Sequence, residues 1–500
     1  MPGKLPHATV SKFLFLITGF IFFSSFTNAK AGNGFRPIFV RDTDINHTNV
    51  YLTLRQCIDY ALQHQPALNR ALINENIAKL TNKVNLSGWL PQVTGTANLT
   101  HYIQFGYGGN AITTTGGGTT ATTGGTTGTT GTTGTTGTTG TTGTTGSTGT
   151  GTSSSSFSRL PDAFLPQVGV SQAIFSPTLL YAAKSANFYI DQAREVTDST
   201  KIYLVSSVSK SFYNLLLTLQ QINVFKEDTA RLGKSLRDAY HQYKGGIVDE
   251  TDYEEAAITL NTSIGQLKQA NENVAPQYAT LKQLMGYPAE QQFNVSFDTT
   301  QMKQELSADT LEKLVYEKRI ESKVLKTQKD LQNSLINYYR LAFLPTVSAF
   351  YNYSPQFESN SFNTLFNASY PSSSIGLSLS IPIFTGFSRV NNLKKARLQQ
   401  ELNNWNEVDL KSQIYTEYTT ALANYKYNYF NLQLLKQNVA LAKRTYFVVT
   451  LQYRQGIVAY LNVITAESNL ITAEISYTNA LFTVLSNKID LERALGDITY

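Results

Sequence analysis

Five carboxylates crowd into seven residues of this 500-residue chain: Asp249, Glu250, Asp252, Glu254 and Glu255. Gathered with symmetry-related copies around an axis, such groups would form a ring that favours cations. They also suit a plainer purpose. Thr251-x-x-Glu254 has the form of a capping box, and acids complement the positive end of a helix. On that account Thr251 and Glu254 cap a helix, while Asp252 remains a gate candidate. Directly before them stands Tyr243-Lys244-Gly245-Gly246-Ile247-Val248, where glycine permits a sharp turn and apolar residues flank it.

Other reactive chemistry is sparse. His7, His47, His64, His101 and His241 contain no close pair, and Cys57 is alone. Zinc, haem and iron–sulfur sets and a disulfide framework are therefore unsupported. No nucleophile elbow, phosphate loop or zinc helix occurs. We assign no catalytic residue and no metal ligand, and expect no cofactor. A formal charge of +6 over this length gives no argument for nucleic acid. Mean hydropathy is −0.20, and past the first thirty positions no apolar run reaches the roughly 20 residues of a membrane helix. Yet Tyr (29) and Phe (27) are abundant while charged residues are only 15%.

The elements that position the acidic turn come from a duplication. Trp89-Leu90-Pro91-Gln92-Val93 matches Phe343-Leu344-Pro345-Thr346-Val347 at an offset of 254, and Val168 to Phe175 matches Leu377 to Phe384 at 209. The Tyr243–Val248 turn matches Tyr453-Arg454-Gln455-Gly456-Ile457-Val458 at 210, as Leu-Met-Gly at 284–286 matches Ala-Leu-Gly at 494–496. Four landmarks in one order make a tandem repeat. The fall in offset from 254 to 209 leaves 45 extra residues in the first half, close to the Thr/Gly tract at 113–156. That tract lacks collagen's prolines and cannot bury a core, so a solvated loop is expected. A glycosylated or adhesive tether is the alternative reading.

Lys4 and Lys12, the apolar stretch Phe13–Phe26 and Ala29-Lys30-Ala31 describe a signal peptide over residues 1–31, with an uncleaved anchor as the alternative. A linker at 32–50 precedes the first repeat, 51–288: helix 51–89, β-hairpin 90–176 and helical hairpin 177–286. After a linker at 289–307 the second repeat, 308–496, holds helix 308–343, β-hairpin 344–384 and helical hairpin 385–496. The hairpins are read from alternation, as in Val93, Gly95, Ala97 and Leu99 against Thr94, Thr96, Asn98 and Thr100. The helices are read from coiled-coil steps such as Ile202, Val205, Ser209, Phe212, Leu216 and Leu219. With no proline between Pro177 and Pro276, a helix of on the order of 100 Å follows, unless unnoticed breaks divide it.

Amphipathic strands in a secreted chain suggest an outer-membrane barrel. Trp89 and Phe343 precede strands while Phe175 and Phe384 end their partners, placing two aromatic pairs at one end of the hairpins. They are girdle candidates at the lipid interface, or core aromatics of a soluble sheet. Four strands cannot close alone, and open edges are not tolerated in lipid. The chain must therefore oligomerise, and three copies would supply about twelve strands.

On these residues the chain resembles the TolC family of outer-membrane efflux and secretion channels. The likeness runs from Leu52-Thr53-Leu54 and Gln65-Pro66-Ala67-Leu68 through the Leu-Pro strand entries and both Tyr-x-x-Gly-Ile-Val turns to Leu495-Gly496. It implies an α+β membrane protein: a homotrimeric, twelve-stranded β-barrel in outer-membrane lipids, four strands per chain, continued by a long α-helical coiled-coil barrel in the periplasm of a Gram-negative bacterium. It further implies a passive exit duct of a tripartite efflux or type I secretion system, served by a periplasmic adaptor protein and an inner-membrane transporter. With three methionines there is no soft-metal relay, which disfavours copper-specific export.

By that resemblance Tyr243, Gly246, Ile247, Val248, Tyr453, Gly456, Ile457 and Val458 are candidate adaptor contacts, or they simply close helical hairpins, and the two readings are compatible. Asp252, Tyr453 and Asn462 are gate candidates, with an Asp252–Tyr453 hydrogen bond open to them. Where relatives carry constricting carboxylates, this chain has Asn462 and Thr465. Weaker cation block is expected as a result. A competing function is a trimeric surface stalk displaying the Thr/Gly loop, though a stalk has no use for paired amphipathic hairpins.

Overall fold

A computed structural model describes residues 51–101, 162–296, 306, 312–359 and 361–500. The signal-peptide, N-terminal linker and Thr/Gly-tract readings fall outside the described residues. Two units are distinguished. In the smaller one, β1 (Tyr51–Leu52) pairs in parallel with β4 (Asn294–Val295).

The larger unit contains all helices described. In the first repeat, α1 (Leu54–His64) and α2 (Pro66–Leu86) replace the single helix expected from 51 to 89. Pro66 has no amide hydrogen to donate and sits at the first position of a new helix, which divides the two. Thr53 caps α1 in a capping box with Gln56. The hairpin strands are β2 (Gln92–Thr100) and β3 (Asp162–Phe175), and α3 (Pro177–Lys244) follows. The returning arm is α4 (Glu250–Glu272) and α5 (Val274–Met285), broken at Asn273 three residues before Pro276.

The second repeat runs α6 (Ile320–Leu341), β5 (Thr346–Ser359), β6 (Tyr370–Ser380), α7 (Ser388–Arg454) and α8 (Tyr460–Leu495). Its first helix begins at Ile320, not at 308, and β6 stops before Ile381 and Ile383, which lie inside the hairpin expected to reach 384. Pro382 lies between those two residues and has no amide to continue a ladder.

α3 and α7 are unbroken over 68 and 67 residues, about 100 Å each at 1.5 Å per residue. Their surroundings differ. α3 buries nearly every side chain from Leu204 to Leu216, with Ser206, Ser209 and Ser211 allowing close approach. α7 buries a narrow seam, Ala396, Asn403, Ile414, Ala421, Tyr425 and Leu432. Trp405, Phe430 and Phe447 beside that seam stay more than 60% exposed.

All four helical arms end alike. In the first turn the Ile247 amide donates to the Gln242 carbonyl at 2.9 Å and the Gly246 amide to Tyr243 at 3.0 Å. In the second, Ile457 donates to Gln452 at 3.0 Å and Gly456 to Tyr453 at 2.9 Å. This is the Schellman pattern, with Gly246 at φ +68° and Gly456 at φ +71°. The returning arms repeat it at Gly286 and Gly496. Gly286 carries a second constraint, because a Cβ there would lie 2.8 Å from the His64 carbonyl oxygen. Gly286→Ala is expected to cost about 1–3 kcal/mol. Gly246→Ala meets open space and should cost less; comparative thermal unfolding of the two variants checks the order.

Candidate functional site

The four-stranded sheet has the order β2-β3-β5-β6 and is antiparallel throughout, so β3 and β5 join the two repeats. Directly opposed residues share a face. Val93 opposes Val170, which opposes Tyr351, which opposes Ile375. Leu377 and Leu379 oppose Ala349 and Val347 on the same face. The other face carries Thr94, Gly169, Asn352 and Ser374 in one row, and Ser378 opposite Ser348 in another. Register thus assembles four separate alternations into one apolar surface and one polar surface. Gly376 lies on the polar face under the ring of Phe350, whose Cζ would be 2.8 Å from an added Cβ. β2 and β6 each have one neighbour and one open edge.

Trp89 sits in the 3-10 turn before β2, Phe175 ends β3, Phe343 precedes β5 and Phe384 follows β6. Antiparallel order places all four at the end of the sheet nearest the long helices. Phe343 is 44% exposed and Phe384 75%. The opposite end has an aromatic cluster that the sequence reading missed. Phe164, Phe357 and Phe366 have ring centroids 5.5–6.0 Å apart. His101 binds the buried Asp162 at 2.9 Å and lies edge-on to Phe362. Phe164 and Phe357 were legible as alternating strand residues, but their proximity depended on pairing across the repeats.

At the helix turns, Ile247 and Ile457 project equally, each 69% exposed. Val248 and Val458 instead pack against a cluster of Ala239, Ala256, Tyr453, Tyr460 and Val463. Tyr243 is half-buried and stacks on Tyr253, with centroids 6.4 Å apart. Gly246 and Gly456 are exposed. The two hairpins are tied just above the turns by Arg454–Asp238 at 3.3 Å and by Ser235–Tyr460 hydroxyls at 3.0 Å.

The capping box expected at Thr251 and Glu254 does not form. Asp249 is the N-cap, no side chain caps the helix, and Glu250 and Asp252 lie in its first turn. The acids there complement the helix dipole rather than its free amides. Asp252 is partly buried, and burial, then Glu255 and Asp249, hold its carboxyl above the usual range. Tyr453 is buried, and its hydroxyl accepts and donates no hydrogen bond within the described chain, so the Asp252–Tyr453 bond is not made here. Its phenol is pushed up by burial and then by the charges of Asp252 and Asp238 and by Tyr460. Asn462 and Thr465 are exposed on α8, and Thr465 bonds back to the Leu461 carbonyl at 2.9 Å.

Among the described residues no helix is long and apolar enough to cross a membrane, and no group of three or more His, Cys, Asp or Glu could hold a metal. A sheet apolar on one face and polar on the other, open at both edges and carried on such helices, defines one share of an outer-membrane β-barrel channel. The model of the outer membrane efflux protein family matches residues 137–287 and 324–497, one segment in each repeat, and the chain belongs to that family.

Among solved structures, CusC matches with a TM-score of 0.69 at 17% identity, covering 91% of this chain and 95% of that one. VceC from Vibrio cholerae matches at 0.67 and 15%, covering 89% and 96%. CmeC of Campylobacter jejuni matches at 0.65 and 17%, covering 89% and 85%. At these identities the likeness shows the fold. No curated protein matches the chain. The chain is an outer-membrane efflux channel of the TolC type with a periplasmic helical domain, not an enzyme and not a surface stalk.

Proposed function

We propose that three copies close one twelve-stranded barrel and that the helical hairpins continue it as a tunnel, whose tips receive a periplasmic adaptor linked to an inner-membrane transporter. The observation that carries the trimer is the pair of open edges. In lipid, unpaired backbone groups on β2 and β6 cost several kcal/mol each, so the β6 edge of one copy must pair with the β2 edge of the next. The exposed apolar flank of α7 supports the same arrangement, because Trp405, Phe430 and Phe447 stay largely uncovered among the described residues. Mass measurement of the detergent-extracted particle tests it: a trimer is expected, and a monomer overturns it.

Adaptor docking is assigned to the turns, with Ile247 and Ile457 as the anchors and Tyr243, Gly246, Val248, Tyr453, Gly456 and Val458 shaping them. The inward-leaning valines hold each turn closed while the isoleucines remain for a partner, so both readings of these residues apply. Trp89, Phe175, Phe343 and Phe384 act as the girdle on the periplasmic side. At the gate, Asp252 supplies one carboxylate per chain near the orphan Tyr453 hydroxyl, whereas Asn462 and Thr465 supply none. Channel recordings with divalent cations on the periplasmic side should accordingly give weak block. Strong block would count against this assignment.

A further inference from the structure

Three buried carboxylates surround one guanidinium where the two helical hairpins pack together. From α3, Arg231 donates through Nε to Glu467 of α8 at 2.9 Å. Its Nη2 lies 3.4 Å from Asp228 and 3.5 Å from Glu474. Lys443 of α7 reaches the other oxygen of Glu474 at 3.0 Å, and Ser263 of α4 donates to Asp228 at 2.6 Å. Tyr446 of α7 faces Glu467, and Glu227 stays at the solvent edge, 4.0 Å from Arg231. Helices α3, α4, α7 and α8, one from each arm of the two hairpins, therefore meet at this cluster.

The charges do not balance. Asp228, Glu467 and Glu474 retain 1%, 4% and 8% side-chain exposure, against one guanidinium and the largely exposed Lys443. One oxygen of Glu467 is buried without a hydrogen-bond partner. Nor is the cluster inherited from the duplication. The positions 210 residues from Arg231, Glu467 and Glu474 are Leu441, Ala257 and Ile264, all apolar. Leu441 and Ile264 are exposed, so the buried ion network belongs to the contact between the hairpins and not to the repeated plan, and a buried ion network is weak evidence for stability.

We propose that this cluster is a proton-dependent latch between the hairpins. With one proton shared between Asp228 and Glu467 the charges of the joint cancel and α8 is held on α3; with both ionised, excess negative charge loosens it. Burial pushes the carboxyls of Asp228 and Glu467 above their usual range, in the direction the latch requires. A carboxyl whose pKa is raised by packing binds more protons packed than apart. Packing is then favoured at low pH and weakens as pH rises through the raised value.

Hydrogen exchange on the full-length protein in detergent tests this, with rates corrected for the intrinsic effect of pH and with α6 as the internal reference. Wild-type protection over 463–478 is expected to fall about tenfold relative to α6 between pH 5 and pH 8. Glu467→Gln, which cannot ionise, should stay protected at both pH values. Should that variant not fold, Glu474→Gln is less buried and should shrink the response. Arg231→Met should lower protection at pH 8 further. Unchanged wild-type protection across this range overturns the latch, as does a folded glutamine variant with the full wild-type response. The readout involves neither adaptor docking nor conduction, so it stands apart from the tip assignment.

Discussion

The double variant Ile247→Asp/Ile457→Asp is expected to abolish efflux while the channel still assembles in the outer membrane. Both side chains are 69% exposed in the free chain and touch no core that the substitution would empty. Burying an isoleucine fully against a partner is worth about 1.5–3 kcal/mol. An aspartate in its place forfeits that and adds the cost of desolvating a carboxylate. Two such losses in each of three copies exceed a hundredfold in affinity, since about 1.4 kcal/mol is tenfold. Drug susceptibility of a channel-deficient host measures efflux, and particle mass measures assembly. Val248→Ala and Val458→Ala serve as contrasts, because those residues pack inward and should lower hairpin stability first. Undiminished efflux by an assembled double variant would remove the isoleucines as anchors.

Leu377→Arg is expected to prevent insertion of the barrel, while Ser378→Arg one residue away should be tolerated. Leu377 is 72% exposed and lies on the apolar face opposite Ala349; Ser378 lies on the polar face opposite Ser348. Arginine on the lipid face costs about 2–4 kcal/mol at the bilayer midplane, whereas lumen substitutions chiefly tune selectivity. Threefold assembly repeats the cost in every copy. Heat-modifiable mobility of membrane fractions reads the difference, and equal effects of the two variants would contradict the assignment of the faces.

Much of this architecture was legible in the chain because it rests on periodicity and on residues with special backbones. The long helix from Pro177 ends at Lys244, within the Tyr243–Val248 turn motif, and the alternating segments are strands. Gly246, Gly286, Gly456 and Gly496 mark equivalent helix ends because only glycine adopts positive φ without strain. The failures were local. Thr251-x-x-Glu254 matched a capping pattern, but the helix begins two residues earlier than that pattern needs, at Glu250 behind Asp249. A motif fixes spacing, not which residue leaves the helical conformation first. The helix expected over 51–89 breaks because Pro66 can start a helix but cannot continue one.

Sequence alone determined the duplication, the alternation of period within each half, the polarity of each strand face and the open-ended count of four strands. These depend on neighbours along the chain. Tertiary structure decided what depends on partners far apart in it. Register across β3 and β5 merged the apolar faces and gathered Phe164, Phe357 and Phe366 at the far end of the sheet. Packing of one hairpin on the other turned Val248 and Val458 inward, left Ile247 and Ile457 outside, and set Arg231 among buried carboxylates from two helices. Arg231 and Glu467 are 236 residues apart, and no local pattern carries their pairing. A hydrogen bond or ion pair depends on distance in space, which the chain sets only after its helices have packed.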